Sequence, residues 1–171
     1  MGFDINKAYI NHSTVKTTVV KYEYMYQYKY PRPAIAVDIL LFKNISSQPQ
    51  VLLIQRAENP FAGKYALPGG FINIDEPLET AAYRELKEET GLSGIPLKQL
   101  HAFGKPGRDP RGRVISVVFW GIVPDTVDSC PQAHSDAAQA GWYPLNMLPP
   151  LAFDHAEIIA YARQAGILQF L

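Results

Sequence analysis

Three glutamates lie on the apolar side of a helix that we predict within the segment Gly70–Leu92. The helix is expected to begin at Pro77 and to run to Thr90, and Gly91 closes it. Because each helical residue advances about 100°, the three glutamates are neighbours on one face, and this face overlaps the apolar stripe instead of opposing it. They are Glu85, Glu88 and Glu89.

The close spacing of these carboxylates needs a physical reason. A glutamate-rich helix most often presents a solvated face with i,i+4 pairs to lysine. Here, three like charges within about 6 Å would repel by roughly 3 kcal/mol per pair at an effective dielectric of about 20. Arg84 and Lys87 point to other azimuths and are not expected to cancel this repulsion. A divalent cation would cancel it, and oxygen ligands select a hard ion such as Mg²⁺ or Mn²⁺.

The rest of the chain reads as a mixed α+β domain. Apolar, β-branched runs predict strands, two of which, Ala34–Phe42 and Val51–Arg56, are separated by a polar turn and resemble a central hairpin. A second helix is expected over Asp154–Gln164, capped by Gly166. The other predicted strands are Thr17–Tyr30, Leu97–Phe103, Val114–Val123 and Gly141–Tyr143.

A tyrosine-rich strand is predicted at the end of an N-terminal extension, residues 1–30. Its tyrosines recur at every second position from Tyr22 to Tyr30 and would share one face. Such a face is typical of a half-buried sheet or a dimer interface, and the alternative is stacking on adenine. We favour a homodimer interface, within a single domain that covers residues 1–171.

Charge and cysteine content limit the partners of the protein. Lys plus Arg and Asp plus Glu are equal at 16 each, which predicts neither a nucleic-acid nor a membrane partner. Cys130 is the sole cysteine, so no internal disulfide forms, and a reducing cytoplasm is expected. The longest apolar stretch, Ala34–Phe42, carries Asp38 and is too short to span a bilayer, which predicts a soluble protein. The histidines form no close metal-ligand pair and are expected to be structural.

A basic loop, Lys105–Arg113, holds four cations and one anion in nine residues. Its arginines, Arg108, Arg111 and Arg113, could clamp phosphates through bidentate guanidinium forks. The alternative is a solvated connection between strands, turned by its glycines and prolines. Arg56, at the end of a predicted strand, is a second candidate for phosphate or ribose contact, or else a surface arginine.

The segment from Gly70 to Leu92 also resembles the signature of the Nudix hydrolases. That signature is Gly, five residues, Glu, seven residues, Arg-Glu, an aliphatic residue, any residue, Glu-Glu, any residue, Gly and an aliphatic residue. Its positions are filled without departure by Gly70, Glu76, Arg84, Glu85, Leu86, Glu88, Glu89, Gly91 and Leu92.

This resemblance implies a fold, a metal site and an activity. The expected fold is an α/β/α sandwich with a mixed sheet and a loop–helix–loop catalytic motif. Glu85, Glu88 and Glu89 would bind Mg²⁺, together with a backbone carbonyl at Gly69. Glu76 and Arg84 would form a buried pair that holds the loop to the helix. The expected activity is metal-dependent hydrolysis of a diphosphate linkage in a nucleotide derivative.

The wider pattern resembles the ADP-ribose pyrophosphatase branch of the family. That branch hydrolyses ADP-ribose to AMP and ribose 5-phosphate, commonly as a homodimer. One departure is Gln139, which stands where the branch often has Glu, so that Asp136 or a helix glutamate would have to serve as the catalytic base. The matching segments are 30–34, 37–38, 63–70, 107–112 and 151–155.

Two other functions stay open at this point. The first is cleavage of nucleoside triphosphates, including oxidised ones, to a monophosphate and pyrophosphate. The second is a non-catalytic sensor of ADP-ribose, because similar domains occur in transcription regulators of NAD metabolism. Those regulators carry a DNA-binding winged helix after the Nudix domain, and none is predicted before Leu171.

Overall fold

The computed structural model describes residues 29–45, 48–124, 130–133 and 137–170. The chain divides into two compact units, Met1–Pro31 and Arg32–Leu171. The predicted tyrosine strand falls outside the described residues except for its last two positions, so its role stays a prediction. The elements of the second unit are β1 (Ala34–Ile45), β2 (Gln48–Arg56), β3 (Tyr65–Ala66), β4 (Gly69–Phe71), α1 (Leu78–Thr90), β5 (Lys98–Phe103), β6 (Val114–Ile122), β7 (Ala137–Pro144), α2 (His155–Gln164) and a 3-10 turn (Ile167–Phe170).

The central strand β1 organises a mixed sheet. It forms the predicted antiparallel hairpin with β2, with Phe42 opposite Val51, and it runs parallel to β6 from Ala34 to Phe42. The short strand β4 pairs antiparallel with β1, which places Gly70 opposite Val37. Strands β3 and β7 extend the sheet beside β2, and β5 extends it beside β6. The mixed sheet predicted from the sequence is therefore confirmed.

One helix covers each face of this sheet. Odd-numbered residues of β1, such as Val37 and Ile39, pack with Leu86 of α1. Even-numbered residues, such as Leu40, pack with Ile158 of α2. Because side chains alternate along a strand and both faces are covered, β1 reads as a continuous apolar run. The α/β/α arrangement is confirmed, and no described helix has the length and apolar character needed to cross a membrane.

The element boundaries differ from the predictions mainly in the strands near the site. Strand β7 begins at Ala137, four residues before the predicted start, because its first residues pair with β2 although Ala and Gln favour strands only weakly. Strands β3 and β4 are too short to give a periodic signal. Helix α1 begins one residue later than predicted, with Pro77 as its N-cap, and Gly91 ends it in the left-handed conformation with a φ of 72°.

Candidate active site

A cavity of about 340 Å³ lies where β1, β2, the turn before α1 and the start of α2 meet. This volume falls within the range of about 300–1,000 Å³ that small-molecule sites occupy. Acidic and cationic side chains both border it. The charged residues of its wall are Asp38, Arg56, Glu58, Glu85, Glu88, Glu89, Arg108, Asp109 and Arg111.

The three glutamates of α1 border this cavity, as the helix periodicity predicts. Glu85 and Glu89 are buried, with exposed fractions of 9% and 8%, whereas the side chain of Glu88 is half-exposed. Burial raises the pKa of Glu85, against the opposing effect of Arg84. Glu89 Oε2 accepts a hydrogen bond of 2.8 Å from the backbone N–H of Gly69. The helix and the turn before it are thus joined at the cavity wall.

Two glycines allow this close approach. A Cβ atom at Gly70 would lie 2.5 Å from Glu85 Oε1, and a Cβ atom at Gly69 would lie 2.2 Å from the carbonyl oxygen of Val37. Gly69 also has a φ of 156°, a backbone conformation that residues with a side chain rarely adopt. The Gly69–Gly70 pair therefore lets the backbone run directly against the strand on one side and the Glu85 carboxylate on the other.

Arg84 corrects one sequence-based expectation. Its guanidinium donates to Glu76 at 2.7 and 2.8 Å, to Glu85 at 2.6 Å and to Glu88 at 3.1 Å. The expectation that Arg84 points away from the glutamates was wrong, because its long side chain reaches Glu85 and Glu88. The predicted Glu76–Arg84 pair forms, but it is partly buried and not fully buried, since the side chains of Arg84 and Glu76 are 25% and 10% exposed. Hydrogen bonds from Arg84 lower the pKa of Glu76 to about 2, and Glu76 raises the pKa of Arg84.

The donor set at this wall fits a hard divalent cation, because three carboxylates and the Gly69–Gly70 backbone border one cavity. Within the described ranges, however, no three Asp, Glu, His or Cys side chains are grouped as metal ligands in this arrangement. In this arrangement the Arg84 guanidinium binds Glu85 and Glu88 as well as Glu76. Arg84 contacts one oxygen of each of these two carboxylates, Glu85 Oε1 and Glu88 Oε2, so a cation bound here would share both carboxylates with Arg84.

Arg56 and Arg111, two of the four predicted substrate-binding arginines, border the cavity around one aromatic ring. Their guanidinium carbons lie 5.1 and 5.6 Å from the ring centre of Phe153, and Arg111 also lies 5.0 Å from Phe71. Arg56 Nε donates to the carbonyl of Pro60 at 2.8 Å. Both arginines are therefore oriented by cation–π contacts and hydrogen bonds at the cavity wall.

Of the other two arginines, Arg108 also borders the cavity. Arg108 forms a bidentate pair with Asp154 at 2.8 and 2.6 Å, and its side chain is 5% exposed. Arg113 does not border the cavity and donates to the carbonyl of Val114 at 3.4 Å. Of the three loop arginines, Arg111 has the placement that best fits phosphate contact, although it also pairs with Asp109 at 2.7 Å. The phosphate role of Arg113 stays a prediction.

A buried polar network at the cavity wall was not predicted from the sequence. His155, the first residue of α2, accepts a 2.9 Å hydrogen bond at Nδ1 from the backbone N–H of Leu67. Its Nε2 lies 3.5 Å from Asp38 Oδ1, and Asp38 accepts a short hydrogen bond from Ser116. Arg108 Nη2 lies 3.5 Å from the other oxygen of Asp38. The charged Asp38 within an apolar run was the available signal, because a buried carboxylate requires partners.

The buried His155 predicts a pH-dependent stability. Burial lowers its pKa below the ordinary 6.5, Asp38 and Asp154 act against that shift, and Arg108 and Arg56 reinforce it. The unfolded state therefore takes up this proton first, so the stability contribution is complete above about pH 6.5 and is lost as the pH falls below it, by at most about 1.4 kcal/mol per pH unit. Thermal melts from pH about 7.5 to 5 should show a steeper decline for the wild type than for His155→Asn, and equal slopes would contradict the assignment.

Gln139 and Asp136 bear on the open question of the catalytic base. Gln139 lies in β7 opposite Gln55, is exposed and does not border the cavity. Asp136 lies outside the described residues. The described carboxylates that border the cavity are Glu85, Glu88 and Glu89 of α1 together with Asp38, Glu58 and Asp109, and Gln139 is not beside them.

Comparisons with known proteins agree with this geometry. The NUDIX domain model matches residues 32–162. The chain is 46% identical over 126 residues to an ADP-ribose pyrophosphatase of Methanocaldococcus jannaschii, with 74% of this chain and 70% of the relative covered. It is 35% identical over 133 residues to an ADPR responsive transcriptional repressor NtrR of Acinetobacter baylyi, which covers 74% of this chain but about half, 52%, of the repressor.

A solved structure with a similar fold supports the family assignment. The NUDIX domain of Shewanella oneidensis NrtR, crystallised with ADP ribose, superposes with a TM-score of 0.72 at 34% identity and covers 80% of this chain and 90% of that one. The matched residues contain the whole of α1, its glutamates and the cavity described above. The chain therefore belongs to the NUDIX family and is a Nudix hydrolase.

Proposed function

We propose that this protein hydrolyses ADP-ribose to AMP and ribose 5-phosphate in a Mg²⁺-dependent reaction. The observation that carries the proposal is the cavity itself, where three glutamates and oriented arginines border one space of a size suited to a nucleotide derivative. The 46% identity to a protein named ADP-ribose pyrophosphatase supports the choice of substrate. So does the likeness to a domain crystallised with ADP ribose.

In this proposal the two kinds of charge have separate roles. Glu85, Glu88 and Glu89, with the Gly69 carbonyl, hold Mg²⁺, or Mn²⁺ in its place. The cation supplies the positive charge that neutralises the diphosphate, which otherwise repels the attacking water. Arg56 and Arg111 contact the phosphates or ribose through guanidinium groups that Phe153 already orients. A carboxylate of α1 takes the proton of the attacking water.

Product analysis tests the substrate. With Mg²⁺ present, we expect AMP release from ADP-ribose at a kcat/KM at least about tenfold above that of any nucleoside triphosphate, which corresponds to roughly 1.4 kcal/mol of transition-state discrimination. The measurement compares AMP formation with pyrophosphate release from a panel that includes oxidised deoxynucleotides. Comparable or faster triphosphate turnover would contradict the proposal and favour a nucleoside triphosphate pyrophosphohydrolase.

A sensor is the second candidate, because one relative is named an ADPR responsive repressor. Stoichiometric ADP-ribose binding without Mg²⁺-dependent turnover would favour it over the enzyme. The homodimer formed through the tyrosine-rich strand, the single domain over residues 1–171, the cytoplasmic location and the absence of nucleic-acid and membrane partners stay predictions from the sequence.

A further inference from the structure

The turn that precedes α1 is fixed at three backbone groups, and each contact comes from a different element. The N–H of Leu67 donates to His155 Nδ1 of α2 at 2.9 Å. The N–H of Ile39 in β1 donates to the carbonyl of Pro68 at 2.8 Å. The N–H of Gly69 donates to Glu89 Oε2 of α1 at 2.8 Å. The contact from α2 thus reaches the same turn that meets the carboxylates of α1.

Both ring nitrogens of His155 are held in place. Because Nδ1 accepts the Leu67 N–H, the proton of the neutral ring lies on Nε2, which faces Asp38 Oδ1 at 3.5 Å. Asp38 is fixed in turn by Ser116 and by Arg108, which is anchored to Asp154. The contacts of Asp38 behind the ring fix the orientation of His155 and therefore the position of the Leu67 amide that it binds.

The hydrogen bond between the Leu67 N–H and His155 Nδ1 does more than fill the core with a buried side chain. Leu67 and His155 are 2% and 3% exposed, so an apolar residue at position 155 would leave the Leu67 N–H buried without its partner, which is unfavourable. The turn would shift to recover a partner. Because Gly69 is two residues from Leu67, such a shift moves the Gly69–Gly70 backbone relative to Glu85 and Glu89.

We propose that His155 is a positioning residue, which acts through the Leu67 amide to set the Gly69–Gly70 turn against the carboxylates of α1 and thereby sets the metal affinity. This inference rests on the proposed metal-dependent function. Its direct consequence is that a contact from α2, on the opposite face of the sheet from α1, controls cation binding.

Four variants test this role. His155→Asn keeps an acceptor at the δ position and should retain most of the affinity for the metal. His155→Gln has similar polarity but carries its acceptor one carbon further along the side chain, and His155→Ala has no acceptor. Both variants should therefore bind the metal about 10–100-fold more weakly, which is the usual effect of losing a residue that supports the metal ligands. Ile159→Val is the matched control, because Ile159 is a buried residue of the same helix without a polar contact to the turn. The loss of one buried methyl group should lower the melting temperature and leave the metal affinity unchanged.

The measurement is the binding of Mn²⁺ alone, followed by the electron paramagnetic resonance signal of the free ion, with the melting temperature of each variant recorded in parallel. Because no nucleotide is present, the result is independent of whether ADP-ribose is the substrate. Wild-type affinity in folded His155→Gln would overturn the proposal. So would an equal loss of affinity in Ile159→Val at the same loss of melting temperature. Weak binding in His155→Gln with recovery in His155→Asn supports it.

Discussion

Replacing Glu89 with Gln is expected to lower kcat for metal-dependent hydrolysis by at least about 100-fold, since a metal contributes several kcal/mol of charge stabilisation in such reactions. Glu89 is buried at the cavity, and its Oε2 accepts the Gly69 N–H. The carbonyl of Gln can accept the same hydrogen bond, so the substitution removes the charge and leaves the contact. With one fewer negative charge in the cluster, the melting temperature in the presence of EDTA should stay the same or rise.

The matched control for this prediction is Glu79→Gln. Glu79 lies in the first turn of the same helix, is exposed and does not border the cavity. The Glu79→Gln variant loses only the favourable interaction of this carboxylate with the helix dipole, which contributes about 0.3–1 kcal/mol to stability. Its kcat should therefore equal that of the wild type. The measurement is kcat over a range of Mg²⁺ concentrations together with thermal melts. Undiminished turnover in Glu89→Gln, or an equal loss in Glu79→Gln, would show that the role given to the α1 carboxylates is wrong.

The backbone positions of these carboxylates could be predicted because they depend on local periodicity. A rotation of about 100° per residue puts Glu85 and Glu89 on the buried side of α1, where the structure has them. The same argument failed for Arg84, because periodicity fixes the direction of Cβ but says nothing about where a long guanidinium side chain ends. Arg84 leaves the helix at one azimuth and still reaches Glu85, Glu88 and Glu76.

The polar network at the cavity wall could not be predicted from the sequence because its members are distant in the chain. Asp38 and Ser116 meet through the parallel pairing of β1 with β6, and His155 arrives from α2 on the same face. Such long-range pairings leave no periodic signal. The basic loop shows the same limit: its composition predicts an anion site, whereas both of its arginines at the cavity are paired with carboxylates, Arg108 with Asp154 and Arg111 with Asp109.

Replacing Gly70 with Ala is expected to reduce kcat by about 100-fold, because a displacement of about 1 Å in a reacting site can have that effect. The added Cβ would lie 2.5 to 2.7 Å from the carboxylate atoms of Glu85, inside the 3.0 Å that Cβ atoms respect. Gly70 is not among the glycines with positive φ, so alanine causes no backbone strain there. The carboxylate is the far end of a flexible side chain and can move, so the fold should survive with a small change in melting temperature.

Gly104→Ala is the control that separates displacement of Glu85 from a general effect of the substitution. A Cβ at Gly104 would come no closer than 3.4 Å to Ile115, its φ is not positive, and it does not border the cavity. Its kcat and metal affinity should therefore match those of the wild type. If Gly70→Ala kept full turnover with its melting temperature unchanged, the position of the Glu85 carboxylate would not matter for the reaction. If it unfolded instead, the Gly70 contact would be a requirement of the fold, since a side chain free to move would have made room for the methyl group.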